Sequence, residues 1–373
     1  MYVKRTTFFD KHVALVAKMV EFGGFEMPVQ YPKGIIAEHK IVRDGGVGVF
    51  DVSHMGEFSV KGQDAVAYLQ FLTVNDVSTL TPGKAQYSAL PKPDGTIIDD
   101  LLVYMLGEND YMIVVNGATC EKDWAHFAEH AKNFNVAISN NSDATALLAV
   151  QGEKSIPTLQ KLTEVDLSSI PYYHFVQGKL AGVDMIISRT GYTGETGIEI
   201  YFPSDKETAF KVWDAVFEAG KEFGIEPIGL GARDTLRLEM GYCLYGNEID
   251  ETTTPLEAGL GWVTKLNKAT PCIATEALKA QKEAGLTRKL VGFVIDERGA
   301  IARHGHPIIN DAGEQIGIVT SGNISPTTGK AIALGYVPLA LSKEGTNITI
   351  EVRPGKRAIG TIKKLPFVTP QVK

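Results

Sequence analysis

Helical periodicity stops near Arg288 and does not return. From there the chain runs in short apolar stretches, "LVGFVID", "IIND", "IGIVTSG", "IALGYVP" and "ITIEVR", punctuated by Gly, Pro and Asn. Strands this short, with no helical segment between them, close on themselves as a small all-β barrel or sandwich. The sequence therefore divides into residues 1–285 and a C-terminal β-barrel domain over 286–373. A total of 373 residues also exceeds what one core organises.

Ahead of that boundary the pattern is mixed. "GVGVFDVSHMGEFSVKG" predicts two strands around a turn, and "DAVAYLQFL" a helix capped by Asp64. "QYSAL", "IIDDLLVYML", "YMIVVNG", "ALLAVQG" and "VDMIISRTGY" predict strands. "CEKDWAHFAEHAKNF" and "ETAFKVWDAVFEAGKEFG" predict amphipathic helices, the second ended by Gly224. This is an α+β arrangement of antiparallel hairpins rather than a regular βαβ series.

Bulk properties exclude several classes. A net charge of −7 lacks the basic footprint of a nucleic-acid binder, so an anionic ligand must be met by a few placed Arg or Lys. No apolar run approaches the ~20 residues of a membrane span, and no signal-peptide pattern opens the chain. Cys120, Cys243 and Cys272 match neither a zinc spacing nor a disulfide framework, so the expected compartment is cytoplasmic. There is no phosphate-loop motif, no dinucleotide fingerprint and no H-E-x-x-H. His304 and His306 flank Gly305 without a third ligand, and no metal site is expected.

Three stretches can carry chemistry. In "GTIIDDLLVYML" alternation puts Asp100 with Ile98, Leu102 and Tyr104, and Asp99 with Ile97, Leu101 and Val103. One carboxylate is buried either way, as a structural partner or as the floor of a pocket. In "SRTGYTGETGIEI" Gly191, Gly194 and Gly197 recur every third residue, with Tyr192 on the turn and Glu199 on the following strand. Such spacing serves a decorated hairpin or a binding loop. "GLGARDTLRLEMGYCLYGNEIDE" opens a helix in which Asp234 pairs with Arg237. Arg233 lies at the helix start, which the dipole disfavours for a cation; it is either exposed or meets an anionic partner.

With these in hand the chain resembles a known family, the tetrahydrofolate-dependent aminomethyltransferases or T-proteins of the glycine cleavage system. "FGGFEMPVQY", "GVFDVSHMGEFSVKG", "NDVSTL", "GTIIDDLLVY", "VVNGATCEKDW", "RTGYTGETGIEI", "GLGARDTLRLEMGYCLYGNEIDETTTPLEAGLGW", "TSGNISPT" and "KLPFV" fall in family order over essentially the whole chain. The resemblance implies a three-domain cloverleaf: two interleaved α/β folate-binding domains and the C-terminal barrel. It implies a transferase that moves the one-carbon unit from the aminomethylated dihydrolipoyl arm of H-protein to tetrahydrofolate, releasing ammonia. It implies that Asp100 is the catalytic aspartate and that Tyr87, Tyr104, Asn116, Tyr173, Tyr192, Glu199 and Arg233 contact folate. Tyr173 sits in "IPYYHF", where Tyr172 is the alternative, and "PFVTPQVK" supplies no equivalent of a C-terminal folate contact found in relatives.

Rival readings on the same fold are a folate-dependent demethylase and a non-enzymatic folate-binding iron–sulfur assembly factor. The latter carries a cysteine in its Gly-rich motif, which "RTGYTGETG" lacks. Sarcosine-type oxidases place a flavin domain ahead of this module, where this chain begins directly. For docking an acidic H-protein, the expected patch is the C-terminal cluster Arg353, Lys356, Arg357, Lys363 and Lys364, with a Lys-protected strand edge as the alternative.

Overall fold

The computed structural model describes residues 3–297 and 299–372. A five-stranded sheet runs, in spatial order, Ala85–Pro91, Ile97–Gly107, Asp110–Val115, Gly56–Lys61 and Ala137–Asn140. A six-stranded sheet runs Phe175–Leu180, Val183–Ser188, Gly197–Pro203, Thr145–Gln151, Gly48–Asp51 and Glu226–Pro227. The strands Arg288–Ile295, Ala331–Pro338, Gln315–Ile324, Pro307–Ile309, Asn347–Arg353 and Lys356–Lys363 close into the expected barrel. A small sheet of Lys4–Arg5, Phe25–Gln30 and Lys18–Phe22 lies near the N-terminus.

The interleaving is visible at one turn. Gly48–Asp51 and Gly56–Lys61 are both strands, as expected, but they belong to different sheets. The turn between them therefore carries the chain across, not back along a hairpin. The chain builds the five-stranded sheet and returns to the six-stranded one at Thr145.

The two sheets also repeat one plan, which the sequence reading did not detect. Gln70 and Gln160 each accept the N–H that opens a 3-10 turn, from Val77 and Leu167. Asp76 and Asp166 cap those turns by accepting from Ser78 and Ser168. The sheets meet at equivalent places: the Ala85 N–H donates to the Tyr173 carbonyl and the Phe175 N–H to the Gly83 carbonyl, each at 2.8 Å. The residues themselves repeat: "LQFLTVNDVSTL" at 69–80 and "LQKLTEVDLSSI" at 159–170 share Leu, Gln, Leu, Thr, Asp and Ser at equal spacing.

From Asp99 onward, alternation decides what each face of the central strand meets. Before it the expectation fails: Ile98 packs with Leu101 and Val103, and Ile97 in a separate cluster, where the pairing with the neighbouring strand is irregular. Leu101 and Val103, on the Asp99 side, pack with Phe58, Leu69 and Phe127 under the helices Ala65–Leu72 and Cys120–Ala131. Leu102 and Tyr104, on the Asp100 side, pack with Phe50, Leu147, Ala149 and Tyr201 of the other sheet. Asp100 thus points between the sheets.

Asp64 is a correction. Its carboxylate makes no cap to the helix that follows; it accepts the Asn135 N–H instead, tying two turns together. Gly224 behaves as expected, at φ +66° after a final 3-10 turn. The barrel is tied to the rest through Glu239 of the helix Leu230–Met240, which accepts from Ser325, Thr327 and Arg43 and faces His39 at 3.2 Å. The C-terminal tail returns over the same helix, with the Phe367 N–H on the Glu239 carbonyl and the Gln371 N–H on the Gly194 carbonyl.

Candidate functional site

A cavity of about 690 Å³ opens between the two sheets and the barrel. The five-stranded sheet contributes Tyr87, Asp100 and Leu102, and the six-stranded sheet Phe50, Ala149, Glu199 and Tyr201. Tyr172, Tyr173, Tyr192, Tyr242 and Trp262 come from loops, and Lys289, Lys363, Lys364 and Leu365 from the barrel and the segment after it.

Asp100 is held from two sides. The Tyr87 hydroxyl donates to its Oδ2 and the Asn116 amide to its Oδ1, both at 2.8 Å. Burial, with the neighbouring Asp99 charge, pushes its carboxyl up to about 7 against the pull of those two donors. Asp99 lies on the buried side, as alternation requires. It is not isolated from Asp100, however: the same Asn116 amide nitrogen donates to Asp99 Oδ1 at 2.8 Å. The Asn116 N–H and the Thr119 hydroxyl complete its shell, at 3.0 and 2.8 Å.

The Gly-rich turn is a cavity wall. A Cβ on Gly191 or Gly197 would stand 2.2 or 2.3 Å from the Gln151 amide. That amide is buried and fixed, donating to the Thr190 carbonyl and accepting from Thr193. The glycines let the turn wrap Gln151, and the wrap presents Thr190 and Tyr192 to the cavity. Thr190 donates to Glu199, and the Tyr192 hydroxyl donates to the Cys243 carbonyl. Burial raises the Glu199 carboxyl, opposed by Thr190 and Arg233.

Arg233 lines the cavity with its guanidinium 4.9 Å from the Tyr192 ring centre. Among the described residues it has no carboxylate within ion-pair distance, and burial lowers its proton affinity. Its helix neighbour Arg237 does have the expected partner: it donates to Asp234 at 2.7 Å and also to Glu248, Ser321 and the Tyr242 carbonyl. That network fixes the turn carrying Tyr242 and Cys243.

Seven of the eight expected residues line this one cavity: Asp100, Tyr87, Asn116, Tyr173, Tyr192, Glu199 and Arg233. Tyr104 does not. It is fully buried behind the wall, where its hydroxyl meets those of Thr190, Tyr201 and Ser188 at 3.0–3.2 Å. Sharing a face with Asp100 was a sound inference, but four residues further along that face the two sheets have already closed together. Tyr172 and Tyr173 both line the cavity, rings edge to face at 4.7 Å. Sequence reasoning missed Tyr242, which stacks on Tyr192 at 5.7 Å, and Trp262, which lies over Tyr87 at 6.1 Å while 63% exposed. Both sit in loops after glycines, where no periodicity reports side-chain direction.

The docking expectation also needs correction. Arg353, Lys356 and Arg357 occupy the turn end of the last hairpin, whereas Lys363 and Lys364 lie at the other end, on the cavity rim beside Lys289. At ~3.4 Å per residue the length of the Lys356–Lys363 strand separates them.

A family model described as the GCVT N-terminal domain matches residues 8–268, and one described as the glycine cleavage T-protein C-terminal barrel domain matches residues 288–369. An aminomethyltransferase of Bacteroides thetaiotaomicron is 53% identical over 98% of this chain and 99% of its own length. One from Halothermothrix orenii is 51% identical over 98% of this chain and 100% of its own. The crystal structure of the glycine cleavage system aminomethyltransferase T from Bartonella henselae superposes with a TM-score of 0.92 at 32% identity, covering 99% of both chains.

Proposed function

This chain belongs to the glycine cleavage T-protein family of aminomethyltransferases, and from that premise we propose that its cavity transfers a one-carbon unit from an aminomethylated dihydrolipoyl arm to tetrahydrofolate. The donor arm is that of the H-protein. The balance is simple. The carbon loses its bonds to sulfur and to the amino nitrogen and gains bonds to two folate nitrogens. The two protons released there leave on the thiol and on ammonia.

The observation that carries the folate reading is Arg233. A half-buried guanidinium with no carboxylate in ion-pair distance among the described residues, set among tyrosines, suits a flat ligand bearing an anionic group. Tyr192 and Tyr242 offer the stacking surface, and Glu199 an acceptor for N–H groups on a pterin edge. Asp100, kept close to neutrality in its proton affinity, can take the proton from the attacking nitrogen. The remaining contribution is orientation: Tyr87 and Asn116 fix the carboxylate, and the cavity holds nitrogen against carbon. The lysines of the rim, not the hairpin tip, are placed to meet an acidic carrier of the arm. We assign the reaction to the cytoplasm, where the three unpaired cysteines are at ease.

The test is substrate choice. Purified protein with tetrahydrofolate should release ammonia from aminomethylated H-protein and should not demethylate a dimethylsulfonium compound. The reverse pattern would identify a demethylase.

A further inference from the structure

Behind Asp100 lies a second buried carboxyl that the transfer chemistry does not use. Asp123, in the first turn of the helix Cys120–Ala131, is fully buried. Neither of its oxygens receives a hydrogen bond among the described residues. A carboxylate in that position would have only the Thr119 hydroxyl, already given to Asp99, and the Lys122 charge, already engaged by Glu251, to compensate it, which is costly. A protonated carboxyl would not be: the Asp123 N–H donates to the Thr119 carbonyl and the Thr119 hydroxyl to Asp99, so Asp99 is the neighbouring carboxylate that can accept. Asp99 already takes three hydrogen bonds, from the Asn116 N–H, the Asn116 amide and the Thr119 hydroxyl. Of the two carboxyls, Asp99 is solvated as an anion and Asp123 is not, so the proton they share resides on Asp123.

We propose that Asp99 and Asp123 are positioning residues for the transfer reaction. Protonated Asp123 holds Asp99 as a carboxylate, and Asp99 acts on Asp100 through their shared donor, Asn116. The inference rests on the role given to Asp100 above. Its consequence is that Asp100 keeps its proton to a higher pH than its own surroundings would dictate, because an anion faces it across one amide group.

The other groups around this chain are accounted for. Asp100 faces Tyr87 on the neighbouring strand and Tyr192 and Cys243 across the cavity; Asp99 also faces Tyr245. Asp123 lies near Cys120 and Lys122, and Lys122 is engaged by Tyr245 and Glu251. Burial lifts Asp123 to about 10, with the Asp99 charge adding to it. Burial raises the Asp99 carboxyl too, opposed by its donors Asp123, Asn116 and Thr119. The tyrosines and cysteines here stay neutral at physiological pH, and Arg233, Arg237 and Glu248 lie beyond Tyr192 and Cys243, which leaves Asp99 as the charge that acts on Asp100.

The experiment is the pH dependence of kcat/KM with saturating tetrahydrofolate. Asp123→Leu removes the fourth donor to Asp99 and raises that carboxyl's proton affinity, so the negative charge facing Asp100 weakens and the Asp100 limb should move to lower pH, with KM for H-protein little altered. Asp123→Asn keeps an N–H donor toward Asp99 and should restore the wild-type limb. A uniform loss of rate with an unmoved limb in both variants would overturn the proposal. A second measurement needs no variant and no substrate. Carbon-13 NMR of side-chain-labelled aspartate in the native protein should show one aspartyl carboxyl still protonated at pH 8 and another titrating near 7. Absence of the first would overturn the proposal even if the folate reading stands.

Discussion

Asp100 illustrates how far a single residue could be read ahead of the structure. Alternation along "IIDDLLVY" separates it from Asp99, and the two side chains do leave opposite faces. What alternation cannot show is Asn116, which follows the end of the neighbouring strand Asp110–Val115 and joins the two carboxylates. Because burial and Asp99 raise Asp100 from 3.8 to about 7, the folded state holds this proton more tightly than the unfolded chain. Its contribution to stability therefore falls as pH rises through that window, while the reactive carboxylate form grows. The kcat/KM profile should accordingly show an acid limb near pH 7, and a limb near pH 4 would contradict the assignment. Helix polarity left Arg233 either exposed or facing an anionic partner; it lines the cavity, with no carboxylate in ion-pair distance among the described residues. Arg233→Ala should weaken tetrahydrofolate binding by about 1.5–3 kcal/mol in titration calorimetry; an unchanged affinity would place the ligand's anionic group elsewhere.

At the scale of elements, strands and helices followed apolar spacing well, and loops were legible only where glycine or a cap left a chemical trace. The loop from Asp110–Val115 into Cys120–Ala131 is the critical one, since it carries Asn116 and Thr119. Gly117 within it would place a Cβ 2.1 Å from the His54 carbonyl oxygen, a backbone atom that cannot step aside. Gly117→Ala should cost about 1–3 kcal/mol in chemical denaturation and lower transfer activity by displacing Asn116. The link between helix Leu230–Met240 and the barrel is the second element-level test. Glu239→Ala would remove one of two carboxylate partners from Arg43, which keeps Glu195, and the carboxylate facing His39, and should cost about 1.5–3 kcal/mol. Burial opposes ionisation of Glu239, but His39, Ser325 and Thr327 hold it down at about 2. This depressed value means its stabilisation is complete above about pH 4.5 and is lost as pH falls through 2. Thermal melts at pH 6 and pH 3 should differ more in the wild type than in Glu239→Ala.

On the scale of the whole molecule, the barrel boundary was legible because the texture of the chain changes there, and the interleaving of the two sheets came through family order rather than through patterning. The internal repeat was missed although "LQFLTVNDVSTL" at 69–80 and "LQKLTEVDLSSI" at 159–170 carry it, because its period is far longer than that of a short repeat. Charge placement was half legible: the lysines were found, but not which end of the last strand faces the cavity. Reversing Lys363 and Lys364 to Glu should raise KM for aminomethylated H-protein, most at low salt, whereas reversing Lys356 and Arg357 should leave it unchanged. Equal effects from both pairs would remove the rim as the docking site. We propose that one-carbon transfer takes place at Asp100, in the cavity between the two sheets. The most direct test is a single-turnover measurement of 5,10-methylenetetrahydrofolate formed from aminomethylated H-protein. Wild type should convert the bound donor fully, and Asp100→Asn, folded and still binding tetrahydrofolate, should be slower by about 100- to 10,000-fold. Comparable rates in the two proteins would contradict it.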